Sequence, residues 1–205
     1  PDFYSLSNAE SVSVTEGPAS VLYGSNAMGG AIEIFPSRPL GGTHTRLSSS
    51  LGSFLTGQHR LAHETRWEKT YYTLHAGIDH TRGERDGAAY RSKDAALGFG
   101  RDLSSAWRAS LQGRYGHFHV EDPGPVTAPL AGSYARVGRG GFSLNLDNGY
   151  GRTWGYLRLF SSHGRHIITD GFRSVDSTTG ARVHQSFSLT SRLALDAGTE
   201  AFSYG

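Results

Sequence analysis

The chain has 205 residues, a formal charge of +2, 28 Gly and no Cys. Without Cys there is no thiolate metal centre and no cysteine nucleophile, and without an apolar run of about 18 residues there is no membrane-spanning helix. Only 37% of the residues are hydrophobic and 11% are aromatic, which suits many half-exposed strands better than a packed helical core. The cations, 18 Arg against two Lys, are spread along the chain and form no patch that would hold nucleic acid.

Residues 1–40 have a texture of their own. Val12 and Val14 alternate with polar neighbours as a strand, which Gly17-Pro18 breaks. Pro18 opens a short helical turn through Ala19–Tyr23, stopped by Gly24. Gly29-Gly30 makes another turn, and Ala31, Ile32, Ile34 and Phe35 read as a strand that Pro36 and Pro39 end.

From residue 43 the hydrophobic period is two. Stretch 70–81 sets Tyr72, Leu74, Ala76 and Ile78 against Thr73, His75, Gly77 and Asp79. Stretch 94–101 sets Ala95, Leu97 and Phe99 against Asp94, Ala96, Gly98 and Gly100. The clearest is 107–117, with Trp107, Ala109, Leu111, Gly113 and Tyr115 opposed to Arg108, Ser110, Gln112 and Arg114. In 152–163 the phase is open, and an arginine facing lipid would cost roughly 2–4 kcal/mol at mid-membrane. Arg158 is therefore placed inward with Trp154 and Tyr156, and Leu157 and Leu159 outward. Stretch 183–195 reads as one more strand, with Val183, Phe187, Leu189, Leu193 and Leu195 on one side. Weaker alternation near 43–53, 56–66, 141–147 and 198–204 brings the total to about nine strands. On these phases Arg46, Arg60, Arg108, Arg114, Arg182 and Arg192 share the inward face.

Links near 66–70, 102–106, 148–151 and 195–197 are short, while those near 82–91, 119–135 and 165–181 are long and rich in Gly, Pro, Asp and Ser. Short and long links alternate, as in outer-membrane β-barrels. The strands run to about 10–13 residues, against the 9–11 a tilted membrane strand needs and the five or six typical of soluble sheets. The expected fold is all-β: about nine strands of a larger transmembrane antiparallel β-barrel over 41–205, preceded by the end of a small α+β domain over 1–40.

The segment from Gly17 to Ile34, GPASVLYGSNAMGGAIEI, resembles the closing part of the plug domain of TonB-dependent outer-membrane receptors. The matching elements are Gly17-Pro18, Tyr23-Gly24, Gly29-Gly30 and the strand through Ile32. The resemblance implies energy-coupled uptake of a scarce nutrient, most often an iron–siderophore or similar metal chelate bound from outside the cell. It implies outer-membrane lipid around the barrel, a periplasmic partner, TonB, pulling on the plug, no enzymatic activity and no cofactor. The family's barrels have about 22 strands, so further strands, the first part of the plug, the TonB contact box and any export signal are expected outside these residues. The chain departs from the family at Glu16, where an Arg that pairs plug with barrel is usual. It departs again at Glu33-Ile34-Phe35-Pro36, where an Asn-Ile-Ile-Thr type of sequence is usual. Two other readings of the strand pattern stay open: a small porin- or adhesin-type barrel, and a soluble all-β ligand-binding domain.

His117 and His119, followed by Glu121 and Asp122, are the densest candidate ligand group, since residues two apart share one strand face. Their phase is that of Trp107–Tyr115, which places them in an interfacial girdle. His163 with His166, and Glu84 and Asp86 with Asp94, are weaker candidates in or near long links. The glycines of Gly98-Phe99-Gly100 and Gly138-Arg139-Gly140-Gly141 lack the helix and Lys of a phosphate loop. No nucleophile elbow appears.

Overall fold

Strands satisfy their backbone groups by pairing, and here every pairing joins strands adjacent in the chain, in two separate sheets whose edge strands have one partner each. The computed structural model describes residues 9–18 and 28–205. Strands β1 (Ala9–Glu16) and β2 (Gly30–Pro36) form an antiparallel hairpin with Val14 opposite Ile32. Gly17, at φ 90°, turns the chain out of β1, and its N–H donates to the Gly29 carbonyl at 3.3 Å. Gly30 requires the absence of a side chain: its φ is 142°, and a Cβ would sit 2.5 Å from the Thr15 carbonyl oxygen. The helical turn expected at 19–23, with Tyr23 and Gly24, lies outside the described residues.

The remaining strands are β3 (Gly42–Gly52), β4 (Thr56–Trp67), β5 (Thr70–Thr81), β6 (Tyr90–Asp102), β7 (Trp107–Glu121), β8 (Tyr134–Tyr150), β9 (Thr153–Ile168), β10 (Arg173–Ser188) and β11 (Ala194–Tyr204). They form one nine-stranded sheet in sequence order, antiparallel throughout. The connections at 68–69, 103–106, 151–152 and 189–193 gather at one end, and those at 53–55, 82–89, 122–133 and 169–172 at the other.

Two expectations are corrected. The link at 165–181 is mostly strand, because Arg165, His166, Arg173 and Ser174 continue the ladder of β9 and β10, leaving only 169–172 between them. The alternation at 183–195 is not one strand. β10 ends at Ser188, and residues 189–193 turn, with the Thr190 N–H donating to the Leu193 carbonyl at 3.1 Å. Arg192 lies in that turn and not on the inward face.

Every cross-strand pair puts its two residues on one face, so the registers sort the sheet into rows. One row runs Tyr72, Phe99, Leu111, Leu144, Leu159, and the next runs Leu74, Leu97, Gly113, Phe142. Among the described residues nothing covers these outward rows: Leu97 is 62% exposed and Phe142 is 55% exposed. Leu157 and Leu159 stand among them and Arg158 on the opposite face, the phase expected for this strand. Trp67, Trp107 and Tyr150 close the apolar band at its short-turn end.

Candidate functional site

The inward face is polar, and the segment following β2 leans on it. Ser37 donates its hydroxyl to the Glu64 carboxylate of β4 at 2.9 Å. Between Ile34–Arg38 and the sheet lies a cavity of about 390 Å³, whose lining includes Tyr71, Thr73, Gln112, Arg114 and Ser143.

Charge and glycine alternate across this face. Arg60, Gly77, Asp94, Gly116, Arg139, Gly164 and Asp176 form one unbroken row from β4 to β10. Adjacent strands are about 4.8 Å apart, so residues two strands apart are separated by roughly 10 Å of backbone. Arg139 of β8 nevertheless meets Asp176 of β10 at 2.5 Å. It does so by lying across Gly164 of β9, where a Cβ would run into both the carboxylate and the guanidinium. Arg60 pairs with Asp79 at 2.7 Å, and Ser92 donates to the same carboxylate at 2.8 Å.

The short-turn end carries a second network. Asp102 accepts from Arg108 Nε at 2.5 Å and also from Arg66, which reaches over β5 to do so. The Arg66 guanidinium stands 5.7 Å from the centre of the Tyr71 ring, and Tyr71 covers its cross-strand partner Gly100. Arg158 donates to Asn145 at 2.8 Å, and Arg182 meets Glu200 at 2.7 Å.

The predicted residues separate accordingly. Arg60, Arg108 and Arg182 are inward and held by carboxylates, whereas Arg114 lines the cavity. Arg46 shares Arg114's row at the β3 edge and is exposed. Gly17, Pro18, Gly29, Gly30 and Ile32 lie in or beside the hairpin. His117 and His119 face outward at the long-loop end, with His119 Nδ1 3.2 Å from Arg136 Nε. His163 and His166 are three apart on one strand and so face opposite ways. Asp94 is on β6 and not in the loop that holds Glu84 and Asp86. Among the described residues no three His, Asp or Glu gather as metal ligands.

Sequence reasoning placed Asp79 and Asp94 inward but missed Asp102, Asp176 and Glu200 as counter-ions. Their parity on the strands was the available signal; their partners required the register.

No protein-family model matches the sequence, and no curated protein matches it. Solved structures do. The chain superposes on a chain of the FpvAI–pyocin S2 complex with a TM-score of 0.79 at 11% identity, covering 97% of this chain and 32% of that one. Against the ferripyoverdine receptor of the outer membrane of Pseudomonas aeruginosa the TM-score is 0.74 at 12% identity, covering 97% and 32%. Against the siderophore receptor PiuA from Acinetobacter baumannii it is 0.73 at 14% identity, covering 96% and 35%. The chain thus spans about a third of the length of these structures. At such identities the likeness is one of fold: an antiparallel β-barrel portion like that of TonB-dependent siderophore receptors.

Proposed function

We propose that this chain is part of an outer-membrane receptor for energy-coupled uptake of a metal chelate, with residues 1–40 closing the plug and 41–205 beginning the barrel. The observation that carries this reading is the two-faced sheet, with its exposed leucine and aromatic rows on one side and its charged rows and hairpin-capped cavity on the other. A soluble sheet would bury one of these faces against a second layer. A porin- or adhesin-type barrel would have no use for the hairpin of β1 and β2. The cargo is a ferric siderophore or a related chelate, which the receptor binds from outside and releases inward when TonB pulls on the plug. No chemical step on the cargo is required of the protein. Deleting the intact receptor should abolish uptake of one labelled ferric chelate under iron limitation, and unchanged uptake of every chelate tested would overturn the cargo assignment.

Orientation has its own test. The loop at 122–133 faces the outside and the turn at 103–106 the periplasm. A cysteine replacing Ala131 in the intact receptor should react with an impermeant maleimide on whole cells, and one replacing Ser105 only after the outer membrane is opened. Equal labelling of both on intact cells would reverse or refute the topology.

Arg114 lines the cavity together with Arg38, Arg139 and Asp94, and its guanidinium can meet an anionic chelate there through the paired donors that suit carboxylate or catecholate oxygens. A hydrogen bond to a charged group contributes about 1.5–3 kcal/mol, so Arg114→Gln should weaken apparent affinity for an anionic chelate by about tenfold or more. The level of folded, heat-modifiable receptor should be unchanged. Uptake with unaltered affinity would leave Arg114 a structural residue.

A further inference from the structure

One imidazole on the inward face stands without a partner. His75 of β5 is 4% exposed, and among the described residues neither its Nδ1 nor its Nε2 has a hydrogen-bond partner. Burying both ring nitrogens unpaired is destabilising, because each gives up a bond to water. On the other face, His63 and His59 each bond a neighbouring hydroxyl through Nδ1, that of Thr45 at 2.7 Å and that of Ser49 at 2.9 Å. His75 therefore differs from the histidines that packing alone explains.

The registers place carboxylates on both sides of its ring. His75 lies opposite Ala62 of β4 and Ala96 of β6. Glu64 is one inward step towards the short turns on β4, and Asp94 one inward step towards the long loops on β6. Such diagonal neighbours stand about 7–8 Å apart, within reach of long side chains. Both act on the ring electrostatically. Arg60 of β4 faces the same way and shares the space over Gly77 with the Asp94 carboxylate: a Cβ there would stand 3.1 Å from Arg60 Nη1 and run into Asp94 Oδ1. In the row of His75 itself are Arg46 of β3 and Arg114 of β7, each two strands away. The segment after β2 adds Arg38, which lines the cavity with Asp94.

A carboxylate only accepts, and a neutral imidazole has one donor, so it can serve one of these two acids. A protonated ring has two donors on opposite sides. That matches two carboxylates on opposite strands, one a row below the ring and one a row above. The acids differ in charge balance. Asp94 has the Arg60 guanidinium beside it, whereas Glu64 accepts the Ser37 hydroxyl at 2.9 Å. A hydroxyl leaves the carboxylate charged, and a cation neutralises it.

We propose that His75 is a proton-operated latch on the segment that caps the cavity: on taking a proton its ring bridges Asp94 and Glu64, and Glu64 turns away from Ser37. The proton comes from water in the cavity, whose wall includes the ring's neighbours Thr73, Asp94 and Ala96. When it leaves, the bond from Ser37 to Glu64 re-forms. Residues 36–38 are thus held against β4 when the ring is neutral and released when it is charged, which opens that side of the cavity. The latch regulates the passage between plug and barrel, and so rests on the outer-membrane reading above.

The test uses the intact receptor in lipid vesicles with a nitroxide on Arg38→Cys, an exposed position beside Ser37. It reads the ratio of mobile to immobile label at about pH 8 and about pH 5.5, the range over which histidine changes charge. That ratio should rise about tenfold in acid, the weight of one charge-assisted hydrogen bond. His75→Gln keeps a polar side chain but takes no proton, and should leave the ratio low at both pH values. Glu64→Gln keeps an acceptor for Ser37 without the charge, and should also remove the response. Ser37→Ala should give the high ratio at both. A wild type that does not respond to acid would overturn the proposal, and so would a response of wild-type size in His75→Gln. A low ratio in Ser37→Ala would overturn it as well, since the bond would then hold nothing. Should His75→Gln fail to fold, Glu64→Gln decides in the same way. Heat-modifiable migration reports the barrel separately: its absence from wild type refutes the outer-membrane reading itself, whatever the label shows.

Discussion

Arginine in place of Leu111 is expected to destabilise the intact receptor by about 2–4 kcal/mol, whereas arginine one residue on, at Gln112, should change stability by less than about 1 kcal/mol. Leu111 stands between Phe99 and Leu144 in the middle of the outward band, 48% exposed to whatever surrounds the sheet. If that surrounding is hydrocarbon, a guanidinium there has no acceptor within reach except by deforming the bilayer. Gln112 points the other way, between Gly98 and Ser143, where neighbouring polar groups line the cavity. Urea titration of the receptor refolded in lipid vesicles gives both numbers, and the heat-modifiable fraction in outer membranes gives the same ranking in cells. Equal tolerance at 111 and 112 would mean that water bathes both faces.

That contrast was readable in the sequence because β7 alternates without a break from Trp107 to His117, and a period of two assigns every residue once one is assigned. In β9 the pattern alone left two phases, and the cost of burying Arg158 in lipid chose the one observed. The same rule failed at the β10–β11 turn. Phe187, Leu189, Leu193 and Leu195 keep the alternation while the chain reverses, and Thr190, Ser191 and Arg192 offer neither Gly nor Pro to mark the reversal. Strand lengths were underestimated for a related reason. Beyond the apolar band, residues such as Arg165, His166, Ser174 and Asp176 are polar on both faces, so pairing continues where the hydrophobic signal stops.

The inward partnerships lay deeper. Parity places Arg139 and Asp176 on one face, but their contact depends on the register that puts Gly164 between them. Sequence separation is 37 residues for that pair and 36 for Arg66 with Asp102. No local spacing rule reaches so far. The division of labour between faces also follows from these contacts. Of the six arginines expected to line a positive lumen, Arg60, Arg108 and Arg182 meet carboxylates within the sheet, which reduces the charge they offer. Among the described residues the outward arginines meet no carboxylate.

Asp102 pairs with two arginines on the inward face, and Asp102→Asn is expected to destabilise the intact protein by about 2 kcal/mol. One carboxylate here serves two guanidiniums, those of Arg66 and Arg108. Removing one partner from a fully buried ion pair costs about 3–5 kcal/mol, and from a surface pair about 0–1. Asp102 keeps 20% of its side-chain exposure and Arg66 keeps 19%, so the value belongs between these limits. Asparagine preserves size and one acceptor, so the loss is of charge and not of packing. With the carboxylate gone, Arg66 and Arg108 face each other across β5 and β6 as like charges. Arg66→Gln should therefore cost less in the Asp102→Asn background than in wild type, with a coupling above about 0.5 kcal/mol. Salt should weaken that coupling only in part, because part-buried pairs are screened less than exposed ones. Both quantities come from one double-mutant cycle of urea titrations at low and high salt. Strict additivity would show that the short distances hold no energy, and that Tyr71 over Gly100, rather than the charges, pins this end of the sheet.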